Sequence, residues 1–450
     1  MIKFDTDKFI QTTLGELVSK EKKSIISGPF GSNVGKKFFK EEGIPLIRGN
    51  NLSKGEEKFK DDGFVFLTRE KADELNCYAI KNDLIFTAVG TIGQVGIIDE
   101  KLKYDEYVIS NKQLRARFDN SKITPLFAYY WFSSYWVQKL ILQRNVGSTV
   151  PLINLSVLKG LPITLPKSIE TQKSIVEVLE NISLKIEVNN KINQELEAMA
   201  KTLYDYWFVQ FDFPFDFAQG KLDVNGKPYK SSGGKMVFNE VLKREIPEGW
   251  AVKELECCAD FKNGKGMKKD LLDDNGEFPV FGSNGIVGKT NKLLFDSPVI
   301  AIGRVGANYG EIHYSIDSCW ITDNAVTSQP IKNEYLWWLL LALKGINYSS
   351  IAGGSAQPLI TQGKLKALNF AIPSNDSFQN FHQIINPIYL KINNVLKQNQ
   401  KLSELRDWLL PMLMNGQVSV AHSHADENLG EVEQELGMVA EDGEIYKSKI

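Results

Sequence analysis

From Lys173 to Phe211 a stripe of mostly apolar side chains returns in strict alternation of four and three: Ile175, Leu179, Ile182, Ile186, Asn189, Asn193, Leu196, Ala200, Leu203 and Trp207. That spacing is a heptad seam, which holds one stripe of a helix against a partner. Neither Gly nor Pro interrupts it, so a single helix of about 38 residues is predicted, about 57 Å long at 1.5 Å per residue. A helix of that length with one narrow apolar stripe needs a second helix to cover it. Adding 206 to each seam position supplies one: Phe381, Ile385, Ile388, Ile392, Val395, Asn399, Leu402, Arg406, Leu409 and Leu413. Asn193 maps onto Asn399, and a polar layer shared by both copies is expected to set the register of the pair.

The correspondence continues outside the helices. Gly147-Ser148-Thr149-Val150-Pro151-Leu152-Ile153 matches Gly354-Ser355-Ala356-Gln357-Pro358-Leu359-Ile360 at an offset of 207, and Leu158–Pro166 matches Leu365–Pro373 at the same offset. Val89-Gly90-Thr91-Ile92-Gly93 is aligned with Ile302-Gly303-Arg304-Val305-Gly306 at 213, and Ile109–Lys112 with Ile321–Asn324 at 212. A unit of half the chain, duplicated, predicts a pseudo-dimer and not a solenoid. The expected fold is mixed α/β (α+β): two similar globular domains separated by two long coiled-coil helices. The boundaries are 1–168 for the first domain, 169–211 for its helix, 212–247 for a linker, 248–375 for the second domain and 376–416 for the second helix. Residues 417–450 form an acidic tail, expected to be disordered.

Within the domains a short helix is expected over Leu14–Lys22, then a short strand running into a polar loop over Gly43–Asn51 and a buried strand over Asp83–Val89; Phe278–Gly285 and Val299–Arg304 repeat the pattern in the second domain. Aromatics at helical spacing between Leu126 and Leu142, repeated at Tyr335–Leu340, predict a core-packed helix. Residues 212–235 are rich in Gly, Pro, Lys and Ser with no period, which predicts a connector.

Charge changes the picture once it is divided. The chain carries a formal −2. The segment from Ala421 onward holds eight carboxylates against Lys447 and Lys449, a net −6 that leaves +4 for the rest. A mildly basic body permits DNA contact without requiring it. Cys77, Cys257, Cys258 and Cys319 form no paired motif and stand apart from the four histidines, so no zinc site is expected. No stretch is long enough to cross a membrane, and the first residues lack a signal pattern, so a cytoplasmic location is expected.

Two motifs resemble catalytic ones. Gly288-Lys289-Thr290 ends like a P-loop, but Ser283 stands where the leading glycine belongs. Asn386-Pro387-Ile388-Tyr389 resembles an amino-methyltransferase motif, yet Ile388 is a seam residue. No catalytic residue is expected on this chain.

Several segments together resemble the specificity subunits of type I restriction-modification systems. They are Ser27-Gly28-Pro29-Phe30-Gly31-Ser32, Gly43–Gly49, Glu245–Trp250, Phe278–Gly285, Ile302–Gly306 and Trp320–Ala325, and the likeness covers nearly everything but the acidic tail. The resemblance implies two target-recognition domains held at a fixed distance by an antiparallel helix pair; each is expected to read half of a bipartite, asymmetric double-stranded DNA site, with half-sites about a helical turn (~34 Å) apart as symmetric readers place them. It implies docking of two methyltransferase subunits that bind S-adenosylmethionine and modify adenine N6. It further implies recruitment of ATP- and Mg-dependent restriction subunits, with no cofactor on this chain.

Base-edge discrimination calls for Arg or Lys against guanine and Asn or Gln against adenine, on loops backed by a scaffold. The first domain offers Lys36, Lys37, Arg48, Asn50, Asn51, Thr91, Asn111, Lys112 and Gln113. The second offers Lys268, Lys269, Ser283, Asn284, Arg304, Asn308 and Tyr309, with Asp323 and Asn324 as reading or bracing groups. Two other readings stay open at this point: a self-contained DNA adenine methyltransferase built on Asn386–Tyr389, and a coiled-coil scaffold whose domains bind protein.

Overall fold

The structure is a computed structural model and describes residues 7–52, 57–223, 225–353, 358–418 and 420. The acidic tail from Ala421 and the loop Gly354-Ser355-Ala356-Gln357 lie outside the described residues. The chain divides into two compact units, one built from the chain up to Glu187 with Asn399 onward, the other from Val188–Gln398.

Each unit contains one globular domain and half of each long helix. The first long helix spans Ile169–Tyr204 and ends in a π-helical turn over Asp205–Val209; the second spans Asn375–Met414 and runs through both Pro387 and Pro411. The Ser168 hydroxyl accepts the Thr171 N–H at 3.2 Å, capping the start of the first helix. Four residues on, the fully buried Gln172 side chain binds Thr124 N, Lys122 O and Pro166 O, which ties the helix to its domain.

The seam is as the spacing predicts: all twenty positions are buried or half-buried. In the first unit Ile175 and Leu179 share a core with Leu410, Leu413 and Met414; Ile182 and Ile186 follow along the same stripe. In the second, Ala200, Trp207 and Phe208 share one with Phe381, Ile385, Ile388 and Ile392, flanked by the half-buried Leu196 and Leu203. The early end of one helix therefore meets the late end of the other in both units, an antiparallel pairing. The polar layer differs from expectation. Asn189 Nδ2 donates across the pair to Gln398 Oε1 at 2.9 Å, whereas Asn193 is buried and neither of its amide atoms has a hydrogen-bond partner among the described residues. Asn399, Leu402 and Leu409 sit half-buried in the first unit.

The two domains share the topology of their main sheet, while the sheet beside it has four strands in the first domain and three in the second. In the first, a four-stranded antiparallel sheet runs in the order 25–27, 113–116, 84–87, 95–97. In the second the order is 259–263, 325–330, 299–303, 312–315. Beside it, Ile44–Ile47 pairs in parallel with Glu106–Ile109, just as Phe278–Gly282 pairs with Trp320–Ile321. Each domain is closed by its first and last strands: Phe9–Thr13 on Pro162–Pro166, and Ala251–Glu254 on Asn369–Ile372. The aromatic helices lie in the cores, with Trp337 and Trp338 nearly fully buried; the first is split at Ser134 into Pro125–Ser133 and Tyr135–Gln143.

Two local expectations fail. Leu14–Glu16 is only a single 3-10 turn, because Leu17 and Val18 leave it to pack on the core and pair with Phe118. Residues 212–247 are folded: they carry a three-stranded sheet and the hairpin Met236–Asn239/Arg244–Pro247. Phe213 stacks on Tyr229 at 4.8 Å and on Trp250 at 5.5 Å, so aromatic burial overrides the loop-like composition.

Leu179→Ala or Ile385→Ala is expected to lower the unfolding free energy by about 2–5 kcal/mol in urea titrations. Asn193→Leu, which removes an unsatisfied amide, is expected to raise the midpoint.

Candidate nucleic-acid interface

Three loops converge on each four-stranded sheet, held by backbone hydrogen bonds that recur one for one. Gly28 N–H donates to Gln113 O at 2.9 Å, and Gly264 N–H to Ala325 O at 3.0 Å. Ser110 N–H donates to Ile47 O and Thr322 N–H to Phe281 O. A β-carbon added to Gly28 would sit 1.8 Å from the Ser110 carbonyl oxygen, and one on Gly264 would sit 2.0 Å from that of Thr322. Only glycine permits these two approaches.

The same bonds correct the repeat alignment. Ala88 donates to Lys112 O and accepts from Ile153 N, while Arg304 donates to Asn324 O and accepts from Ile360 N. Ala88 and Arg304 are therefore equivalent, an offset of 216 in place of 213. The bridges Val89–Leu152 and Val305–Leu359 agree. Gly90 then matches Gly306, and both have left-handed backbones, φ +88° and +74°.

On this shared frame the side chains diverge. In the first domain Lys36, Lys37, Asn50, Thr91, Asn111 and Lys112 are exposed. Arg48 is half-buried and clamped, its guanidinium donating to Gly63 O at 2.9 Å. Asn51 and Gln113 do not reach the surface. Asn51 is fully buried and accepts from Arg48 N while donating to Lys60 O and Asp62 O. Gln113 is also fully buried and takes the Ser110 hydroxyl. These two amides brace the loops from inside and are corrected from readers to struts.

In the second domain Lys268, Lys269, Asn284, Asp323 and Asn324 are exposed, and Ser283, Arg304, Asn308 and Tyr309 are half-buried. A β-carbon on Gly303 would meet Asn308 O at 2.3 Å and Ser283 O at 2.7 Å, so those two loops touch beside Arg304. The Arg304 guanidinium makes no hydrogen bond among the described residues, and its Nε is buried. Two neighbours of the 282–285 turn share that state: His313 Nε2, whose ring faces Gly285, and Thr322 Oγ1, which faces Gly282. Burial lowers the His313 pKa below its ordinary value and favours the neutral ring. Sequence reading passed over both, since nothing in a lone His on a strand or a Thr before Asp323 says that its polar atom turns toward this corner.

The two catalytic-looking motifs are structural. Gly288-Lys289-Thr290 lies in the strand Gly285–Thr290, with the buried Thr290 hydroxyl donating to Leu271 O. Asn386 accepts the Trp337 indole N–H at 2.8 Å, and Tyr389 stacks on Trp337 at 4.1 Å. No three His, Cys, Asp or Glu cluster as metal ligands among the described residues, and no described helix is long and apolar enough to cross a membrane.

Comparison with known proteins defines the class. A family model, the type I restriction modification DNA specificity domain, matches residues 10–198 and 247–404, one stretch for each half of the repeat. The chain belongs to this family: it is a DNA specificity subunit of a type I restriction-modification system, a recognition subunit and not a catalytic one. It is 25% identical over 454 residues to the type I restriction enzyme MjaIX specificity subunit of Methanocaldococcus jannaschii, covering 93% of this chain and 99% of that one. It is also 25% identical to the HindI specificity subunit of Haemophilus influenzae, over 75% of this chain and 87% of that one. The fold is similar to the crystal structure of a type I S subunit from M. genitalium, with TM-score 0.54 at 18% identity, covering 92% of this chain and 98% of that chain.

Gly264→Ala is expected to lower stability by about 1–3 kcal/mol through overpacking, read by thermal unfolding, and to weaken DNA binding. Gly49→Ala, where an added β-carbon meets nothing within 4 Å, should leave the melting temperature unchanged.

Proposed function

We propose that each globular unit reads one half of a bipartite, asymmetric DNA target, and that adenine N6 methylation occurs on methyltransferase subunits docked to this chain. The observation that carries this reading is the shared loop frame bearing unlike side chains. At equivalent positions of the duplicated scaffold the first unit has Ala88, buried in its core, and the second has the half-buried Arg304, so only the second offers a guanidinium there. A guanidinium with no hydrogen-bond partner among the described residues is suited to the O6 and N7 acceptors of a guanine. Lys36, Lys37 and Lys112, with Lys268 and Lys269 in the other unit, are suited to phosphates that position the duplex.

Docking of two methyltransferase subunits is supported by apolar side chains that each unit leaves uncovered on its helix segments. The first unit exposes Leu184, Leu405 and Trp408; the second exposes Val188, Ile192, Met199, Leu390 and Leu396. S-adenosylmethionine would be held by those partners, and ATP with Mg by restriction subunits. The alternative of a self-contained methyltransferase loses its motif to the packing of Asn386 and Tyr389.

Mapping modified adenines in cells carrying Arg304→Ala should show relaxed preference at one base of one half-site, with discrimination reduced by about 1–3 kcal/mol there, and the other half-site unchanged. Change in both half-sites, or in neither, would overturn the assignment. Purified alone, the chain is expected to transfer no methyl group to DNA.

A further inference from the structure

Among the described residues Phe30 is the most exposed of the large apolar side chains, 85% accessible. It stands at the tip of Ser27–Asn33 in the first unit. An aromatic ring held in water gains nothing for the fold, yet the chain around it is tightly fixed. Gly28 is locked against Ser110, its N–H bonded to Gln113 O, and Pro29 constrains the next φ. The Phe30 carbonyl accepts Asn33 N–H at 2.9 Å, closing the turn. A β-carbon on Gly31 would lie 3.0 Å from Asn111 Nδ2, so the tip abuts the exposed Asn111–Lys112 loop. Lys36 and Lys37 follow on the next turn, both exposed. The ring is thus fixed on a turn that abuts the Asn111–Lys112 loop and leads into Lys36 and Lys37, on the loops that the shared frame gathers. The equivalent tip in the second unit, Lys265-Gly266-Met267 after Gly264, carries no aromatic.

Resting on the reading of these loops as a DNA interface, we propose that Phe30 is an unstacking wedge: its ring enters a base step of the half-site read by the first unit. Apolar side chains inserted between base pairs partly unstack them and kink the duplex, and an aromatic ring is favoured there by stacking on the opened base. The neighbouring ammonium groups hold the flanking phosphates, so the ring is driven into the helix and not merely laid against it. The charge around it favours this occupant over an apolar protein surface. The wedge is confined to one half of the target, and it should prefer the flexible pyrimidine–purine steps, which open most readily.

The test uses the complex assembled from this chain and its methyltransferase partner, as wild type, Phe30→Ala and Phe30→Trp. The probes are duplexes carrying the target mapped from modified adenines in cells, with 2-aminopurine placed in turn at each purine of the half-site except the methylated adenine. The expected result is a fluorescence rise at one step with wild type and Phe30→Trp, absent with Phe30→Ala, and an affinity loss of about 10- to 100-fold for Phe30→Ala. Unchanged melting temperatures would show that the variants fold. Equal fluorescence and affinity in wild type and Phe30→Ala would overturn the wedge while leaving sequence-specific binding intact. Loss of partner subunits from Phe30→Ala, with DNA binding retained, would assign the ring to a protein contact and overturn it as well. Failure of the wild-type complex to prefer the target would instead sink the underlying reading of DNA recognition.

Discussion

Apolar burial along the helix seam is the constraint to which the remaining structure answers. Where Trp207 and Phe208 close on Phe381, with ring centroids 5.5 and 4.8 Å apart, helix and globular domain become one core. Leu179 and Leu413 belong in the same way to the core of the other unit, together with Phe127 and Phe132. Each fully buried Leu or Ile contributes about 1.5–3 kcal/mol, so several such layers outweigh the isolated unsatisfied Asn193. Polar contacts then orient what burial has brought together: Lys58 reaches Glu180 at 2.5 Å in one unit, and Lys397 reaches Asp317 at 2.9 Å in the other.

This division of labour lets each unit keep a fixed backbone frame beneath loops whose side chains differ. The sheet order, the parallel pair beside it and the two pressed glycines recur in both domains, and all are main-chain features. Side chains at equivalent loop positions are free to differ because the backbone bonds beneath them do not involve those side chains.

The helices and the duplication were legible in the sequence because a period survives many substitutions: no seam residue from Ile175 to Leu413 is exposed. The loop frame was legible only in outline. Glycine is common in loops, so Gly90 invited pairing with Gly303, whereas left-handed backbone and hydrogen bonds pair it with Gly306. Residue type also fails to say which way an amide points, and Asn51 and Gln113 face inward where Asn50 and Asn111 face out. The 212–247 segment misled through composition, since a few aromatics, Phe213, Tyr229 and Trp250, outweigh its Gly, Ser and Lys. His313 and Thr322 left no local signature, because their significance lies in neighbours far along the chain.

The hydrogen bonds at Ala88 and Arg304 have an evolutionary consequence. With its peptide anchored on both sides, Arg304 can exchange its side chain while the backbone bonds at that position stay as they are; Ala88, turned into the core of its own unit, has no such freedom. A point mutation at position 304 would therefore change the group offered by the second unit while the backbone beneath it is inherited unaltered.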